Sequence, residues 1–316
     1  MILLVFLLNI IYCEYKGKIV LSDDGELTIL QLTDLHYGEG SKLDVLSTEL
    51  TANLTKITNP DMVIITGDLV SGYMWNLINQ TFFQDCWNMF TKAMTVPYAY
   101  VTGNHDAQAN LDRDSIVKLD RKHDYSLMKG IEDGTTNYYI PVYDKNNKVA
   151  LILWMFDTNM EGCYDMDDSW GCFDDKEIKW YEEESNKLKE ELGYMPNGLA
   201  FFHIPIPEYL SMHNWSRTYG SRNENVSCPR KNSQLFRKIL KMKNIKATFC
   251  GHDHDNDEGG MFYGIELVYG RKTGHGGYGP SFFKRGGRVI KIKKNEIDFR
   301  TNKIRKKRQR VEQNNK

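Results

Sequence analysis

The amino-acid sequence predicts an α/β fold. Short apolar runs of strand length alternate with longer stretches whose apolar residues recur at helical spacing. Several of these runs end at once in Asp, Asn or His, at the tips where ligands gather in α/β folds. The 316-residue chain is 41% apolar, enough for a sizeable core. No repeat, linker or low-complexity stretch divides it, so one domain over residues 14–302 is the simplest organisation.

The chain opens MILLVFLLNIIYC. This run is too short to span a bilayer. It reads as the core of a signal peptide over residues 1–13, although no Lys or Arg precedes it, with a buried first strand as the other reading. LTILQLT (27–33) reads as a buried strand that ends in Asp34 and His36. Residues 42–57 place Leu43, Leu46, Leu50, Leu54 and Ile57 on one helical face. MVIIT (62–66) is a second buried strand and runs into Gly67 and Asp68. Residues 80–94 read as a helix, and PYAYVT (97–102) as a strand that ends in GNHD, with Asn104, His105 and Asp106. Runs at 137–142 and 149–156 flank the turn sequence DKNNK and suggest a hairpin. A charged helix fills 174–192, its Glu and Lys paired at helical spacing on a solvated face. GLAFFH (198–203) is a strand that ends in His203. A helix at 232–242 precedes IKATFC (245–250), the strand before GHDHDND with His252 and His254. The last third is rich in strands and glycine.

Charge bears on the class of partner. Residues 303–316 hold seven Lys or Arg against one Glu, so this tail carries +6 and the rest −7 of a net −1. A mildly acidic body argues against nucleic acid as the main partner, and the tail is either solvated or a polyanion-binding segment. No later stretch is apolar enough for a transmembrane helix. Sequons at Asn53, Asn79, Asn214 and Asn225 agree with secretion. Loss of Cys13 with the leader would leave five cysteines, an odd number. Cys163 and Cys172 bracket a short acidic loop and are the best candidate disulfide, while Cys250 reads as a small buried hydrophobe.

Each polar strand tip alone is weak evidence, because GD and GN are ordinary turn dipeptides. Together they give D-x-H, G-D, G-N-H-D, H and G-H-x-H, each directly after a buried run. That order resembles the calcineurin-like metallophosphoesterase superfamily, over about residues 27 to 295. The pieces FFHIPIPEY, GHDHDND and YGRKTGHGGYG are similar to its purple-acid-phosphatase-like branch. The resemblance implies a four-layer α-β-β-α sandwich of two mixed sheets, with a binuclear metal site at the carboxyl ends of the strands. It implies that Asp34, His36 and His254 bind one metal, that Asn104, His203 and His252 hold the second, and that Asp68 bridges both. In an extended segment, His252 and His254 at i and i+2 would point the same way and each reach one ion. Asp253 would then point away, in a structural role, and Gly251 would let the backbone turn close to the metals.

Carboxylates with imidazoles suit two divalent or trivalent ions such as Fe, Zn or Mn. The resemblance then implies a small phosphate-ester substrate, attacked by a deprotonated water shared between the ions. It places His105 facing the substrate, to protonate the leaving oxygen or stabilise the transition state, with Asp106 bonded to its far ring nitrogen. Two departures separate this chain from the purple enzymes. Position 71 is Ser where they carry a metal-binding Tyr, with Tyr73 two residues too far, and His36 stands where they generally have none. The site is therefore expected to be colourless.

Other residues carry plainer expectations. The loop 161–175, with Trp170, is either a wall of the substrate cleft or a solvated loop. Asp157 is expected to be structural. Arg271, His275 and Tyr278 lie in a Gly-rich segment that either approaches a phosphate or makes a tight turn. His123 and His213 are expected at the surface. The function expected is a secreted or lumenal phosphate monoesterase, with a phosphodiesterase as the alternative on the same site. A non-catalytic metal-binding glycoprotein would be marked by lost ligands, and none is missing.

Overall fold

The computed structural model describes residues 17–129 and 136–293, with the backbone of 300–305. The expected signal segment 1–13 and the tail residues 306–316 lie outside the described residues. In chain order the elements are β1 (Ile19–Val20), β2 (Glu26–Leu32), α1 (Ser41–Thr58), β3 (Met62–Thr66), α2 (Phe82–Thr91), β4 (Tyr98–Val101), a 3-10 turn at Asp106–Gln108, α3 (Arg113–Asp120), β5 (Tyr138–Tyr143) and β6 (Val149–Met155). Then follow β7 (Glu161–Cys163), β8 (Met166–Trp170), α4 (Asp175–Leu192), β9 (Asn197–Phe201), α5 (Pro207–Trp215) and β10 (Thr218–Tyr219). The chain continues through α6 (Leu235–Met242), β11 (Ile245–Cys250), β12 (Gly259–Phe262), β13 (Ile265–Tyr269), β14 (Gly286–Lys293) and β15 (Arg300–Arg305).

Two mixed sheets form the frame. One runs β15-β14-β2-β3-β4, the other β1-β5-β6-β9-β11-β13-β12-β10. β2, β3 and β4 are parallel in the first. β6, β9, β11 and β13 are parallel in the second. Strand alternation divides the apolar side chains between two layers. Leu151, Leu153 and Met155 of β6 share one cluster with Ile64, Tyr100 and Phe249, between the sheets. Ile152, Trp154 and the following Phe156 join Trp180 and Tyr181 of α4 in the other. In β11, Ile245 belongs to the outer cluster but Ala247 to the inner one; a register shift against β9 between these residues absorbs the change. α1 packs on α2, β2 and β14, whereas α5 and α6 pack on β12 and β11 and α4 on α6. The order of layers is the expected α-β-β-α.

Local chemistry sets the helix ends. α4 begins with a capping box, in which the Asp174 carboxylate accepts from Glu177 N at 2.9 Å and the Glu177 carboxylate accepts from Asp174 N at 2.8 Å. It ends at Gly193, whose φ of 74° lets the chain leave in the left-handed region.

Several expectations are corrected. The stretch 161–175 holds the hairpin β7–β8, and Cys163 at the end of β7 is bonded as expected to Cys172 beyond β8, with Cα atoms 5.3 Å apart. α3 and α5 were not foreseen; α5 has almost no amphipathic pattern to read, although Pro207 starts it. Residues 300–305, which include the first three of the expected tail, pair with β14. His213 is partly buried and bonds the fully buried Glu258 carboxylate. His123 is partly buried against the rings of Trp87 and Tyr98. Asp157 is structural, fully buried in an ion pair with Arg113.

Candidate metal centre

Parallel strands bring their carboxyl ends to one edge. Residues after β2, β3 and β4 in one sheet, and after β9 and β11 in the other, meet there. Two groups of side chains result: Asp34, His36 and His254, and Asp68, His203 and His252, each with donor atoms within 4.8 Å of one another. All six are buried. The backbone is strained to reach this arrangement. Asp34, His36, Asp68 and His252 have φ of 52°, 52°, 51° and 75°, a region that side-chain-bearing residues rarely adopt. Residues 252–254 are therefore not the extended segment the spacing suggested, yet His252 and His254 still reach different groups. Gly67 and Gly103 allow the close approach, since a Cβ would collide with the His203 ring at the first and the Asp68 carboxylate at the second. Gly251 acts similarly, where a Cβ would meet Thr33 Oγ1 and the Asp34 carboxylate.

Hydrogen bonds outside the centre set the imidazole tautomers. His203 Nδ1–H donates to the Thr66 carbonyl at 2.8 Å, and His254 Nδ1–H to the Tyr278 carbonyl at 3.0 Å. The Ser71 hydroxyl donates to Glu39 at 2.6 Å, so its lone pair accepts from His36 Nδ1–H at 2.9 Å. All three Nε2 atoms thus face the centre. His36 Nε2 lies 3.1 Å from His254 Nε2. His203 Nε2 lies 3.0 Å from Asn104 Oδ1 and 3.1 Å from Asp68 Oδ2. Asp68 Oδ2 is also 3.6 Å from His36 Nε2, so one oxygen addresses both groups, while Oδ1 accepts from His105 N at 2.9 Å. Buried His252 Nε2 has no partner. Lone pairs so crowded repel unless cations lie among them, and the N and O donor set suits two such ions.

Electrostatics agree. Burial, then Lys272 and His254, holds His36 well below the usual imidazole range. Burial and Lys272 also lower His254, and burial and His203 push His252 down to about 3. Burial alone would raise Asp34 and Asp68, but the histidines around them hold both below the usual carboxylate range. His203 is the exception. Burial opposes its charge, but Asp68 outweighs burial and holds it up at about 9. Neutral imidazoles beside ionised carboxylates are the states metal binding requires, and a cation would take the place of the His203 proton.

The expected link between Asp106 and His105 is corrected. Asp106 accepts from the backbone N–H groups of Asp68, Val70 and Gly103 at 3.1, 2.9 and 2.7 Å. Three backbone donors outcompete one imidazole, so Asp106 braces the loops of Asp68 and Asn104. His105 Nδ1–H instead donates to Gln108 Oε1 at 2.7 Å, one turn on, which leaves Nε2 as its exchangeable position. The two departures from the purple enzymes are coupled in space, because Ser71 is the group that orients His36.

Sequence reasoning missed Lys272, whose buried ammonium donates to the Asp34 carbonyl at 3.0 Å and which burial pulls down to about 7. It also missed Glu39 and Gln108, for which no motif gives a signal. The Gly-rich segment packs on residues 33–36, with Thr273 N donating to the Thr33 carbonyl at 2.9 Å and Gly274 N to that of Asp34 at 3.2 Å. Its glycines therefore serve backbone contact with this loop. Arg271 is buried against Asp257, while Tyr278 stacks on His254.

The family model described as calcineurin-like phosphoesterase matches residues 27–256. A probable inactive purple acid phosphatase 29 of Arabidopsis thaliana is 28% identical, over 89% of this chain and 80% of that protein. Phosphatase DCR2 of Saccharomyces cerevisiae is also 28% identical, over 90% of this chain and 53% of its own length. Among solved structures, a dimetal phosphatase from Danio rerio shares the fold with a TM-score of 0.58, at 12% identity over 84% of this chain and 92% of that one.

Proposed function

This chain belongs to the calcineurin-like phosphoesterase family, and from that premise we propose that it is a secreted or lumenal phosphate monoesterase that works with two metal ions. It is a metal-dependent hydrolase of phosphate esters. The observation that carries the two-ion part of this reading is the set of inward Nε2 atoms on His36, His203 and His254, with Asp34, Asp68 and Asn104 among them. Asp34, His36 and His254 would hold one ion, Asn104, His203 and His252 the other, with Asp68 between them. Two such ions activate water for in-line attack on phosphorus and offset charge on the phosphoryl oxygens.

The chain's own groups supply the rest. His105 lines the cleft over both groups, and its Nδ1–H is fixed on Gln108. When protonated, it gives the Nε2 proton to the leaving oxygen. Asp106 and the strained loops hold these positions before substrate arrives. The Arabidopsis relative carries the word inactive in its name, whereas every expected donor is present in this chain. Secretion is supported by the bonded Cys163–Cys172 pair and by the exposure of all four sequon asparagines.

The test uses residues 14–316 from a secreting host, with Mn, Zn or Fe added back. One phosphate monoester and one diester are assayed beside metal content. Faster turnover of the monoester is expected. Preference for the diester would move the assignment to a phosphodiesterase, and no turnover of either would contradict catalysis. Full-length chain expressed in parallel is expected in the medium without residues 1–13; retention in the cell with Met1 intact would contradict secretion.

A further inference from the structure

A cleft of about 380 Å³ lies over the candidate centre, within the size range of small-molecule sites. Three aromatic rings wall it, each against one imidazole of the site. Tyr73 meets His105 edge-on with centroids 4.6 Å apart, Trp170 meets His252 edge-on at 4.5 Å, and Tyr278 stacks on His254 at 3.9 Å. Resting on the phosphoesterase reading, we infer that the cleft takes phosphate monoesters whose ester oxygen sits directly on an aromatic ring and which carry a single phosphate group.

Distance argues for the ring. Each wall starts one van der Waals layer from an imidazole of the centre. A ring on the ester oxygen meets the walls at once, whereas an intervening sugar would carry it past them. The walls are preorganised, which lowers the entropy cost of binding. The Tyr278 hydroxyl donates to Glu224 at 2.8 Å, and the Tyr73 hydroxyl donates to Glu39. Trp170 ends a hairpin that is closed by the Cys163–Cys172 disulfide and tied by Arg230 to Asp168 at 2.7 Å. Trp170 is 36% and Tyr278 53% exposed, so both residues keep open surface among the described residues.

Charge argues for a single phosphate. No lysine or arginine lines this cleft among the described residues. Carboxylates, Glu39 and Glu224, stand behind the tyrosines. A second phosphate on the substrate would find no cation in the lining and would face like charge there, with Arg285 engaged by the Tyr278 and Gly279 carbonyls at 3.3 and 3.4 Å.

The experiment measures binding of non-hydrolysable phosphonates to the metal-loaded full chain by calorimetry, so leaving-group reactivity cannot contribute. Phenylphosphonate is expected to bind about tenfold more tightly than methylphosphonate, as one good aromatic contact allows. 1,4-Phenylenebisphosphonate is expected to bind more weakly than phenylphosphonate. Trp170→Ala should shrink the phenyl-over-methyl ratio several-fold, and Trp170→Phe should restore most of it. Equal binding of phenyl and methyl compounds, a ratio unchanged by Trp170→Ala, or tighter binding of the bisphosphonate would each overturn the inference. The parent reading fails separately. If no phosphate ester is turned over, catalysis falls, while the phenyl-over-methyl ratio still decides the ligand class.

Discussion

Replacing Ser71 by alanine tests how the candidate centre readies its donors. The Ser71 hydroxyl spends its proton on Glu39, so its lone pair must take the His36 Nδ1 proton at 2.9 Å. His36 is only 1% exposed, so no water replaces a lost acceptor. In the variant, either the Nδ1–H is left buried and unsatisfied, or the ring moves its proton to Nε2. The first costs about 1–3 kcal/mol. The second puts a proton where a cation should bind and costs the same ion at least as much. At about 1.4 kcal/mol per tenfold, the ion held by Asp34, His36 and His254 should bind roughly 5- to 150-fold more weakly. Lost outer partners of metal-ligating histidines typically weaken metal affinity by about 10- to 100-fold, which agrees. The assay is competition with a chromogenic chelator, with circular dichroism to confirm the fold. Ser71→Thr keeps the acceptor and should retain most of the affinity. Metal affinity within about twofold of wild type in folded Ser71→Ala would refute the reasoning.

Other substitutions separate the remaining roles. His105→Ala should keep both metals and lose about 10²- to 10⁴-fold in turnover; elemental analysis beside steady-state rates decides, and metal loss equal to that of His203→Ala would contradict it. Asp106→Ala strands three backbone N–H groups and should cost at least about 3 kcal/mol in denaturant unfolding, while unchanged stability with lost turnover would return Asp106 to catalysis. Burial holds His123 below its usual value against the pull of Asp120 and Asp124. The unfolded chain therefore takes up more protons, and stability should fall as pH drops through about 6.5. His123→Phe should flatten that slope, and an identical slope in thermal unfolding would contradict the assignment.

The strand ends were legible in sequence because each polar tip follows a mostly apolar run, as parallel strands buried on both faces require. The run 245–250 coincides with β11 to the residue. The motif order named the family and with it the residues that now meet at one edge. What was not legible is contact between distant segments. Asp106 looks like a partner of His105 because the two are adjacent in sequence, but the loop at 68–70 offers it backbone donors instead. Ser71 and Tyr73 read as a missing ligand, and only the fold shows Ser71 holding His36. Lys272 lies 238 residues from Asp34 in sequence, and nothing local marks it. The hairpin β7–β8 was hidden by its acidic composition, which spacing alone cannot tell from a loop.

Metal stoichiometry tests the two-ion centre most directly. Chain purified from a secreting host, loaded with Mn, Zn or Fe and freed of excess metal, should retain two ions per chain by elemental analysis. His203→Ala should lose one of them, and both wild-type ions should leave on chelation together with phosphoesterase activity. A wild-type chain that retains no ion after reconstitution would contradict the central claim, beginning with the inward-facing nitrogens of His36, His203 and His254.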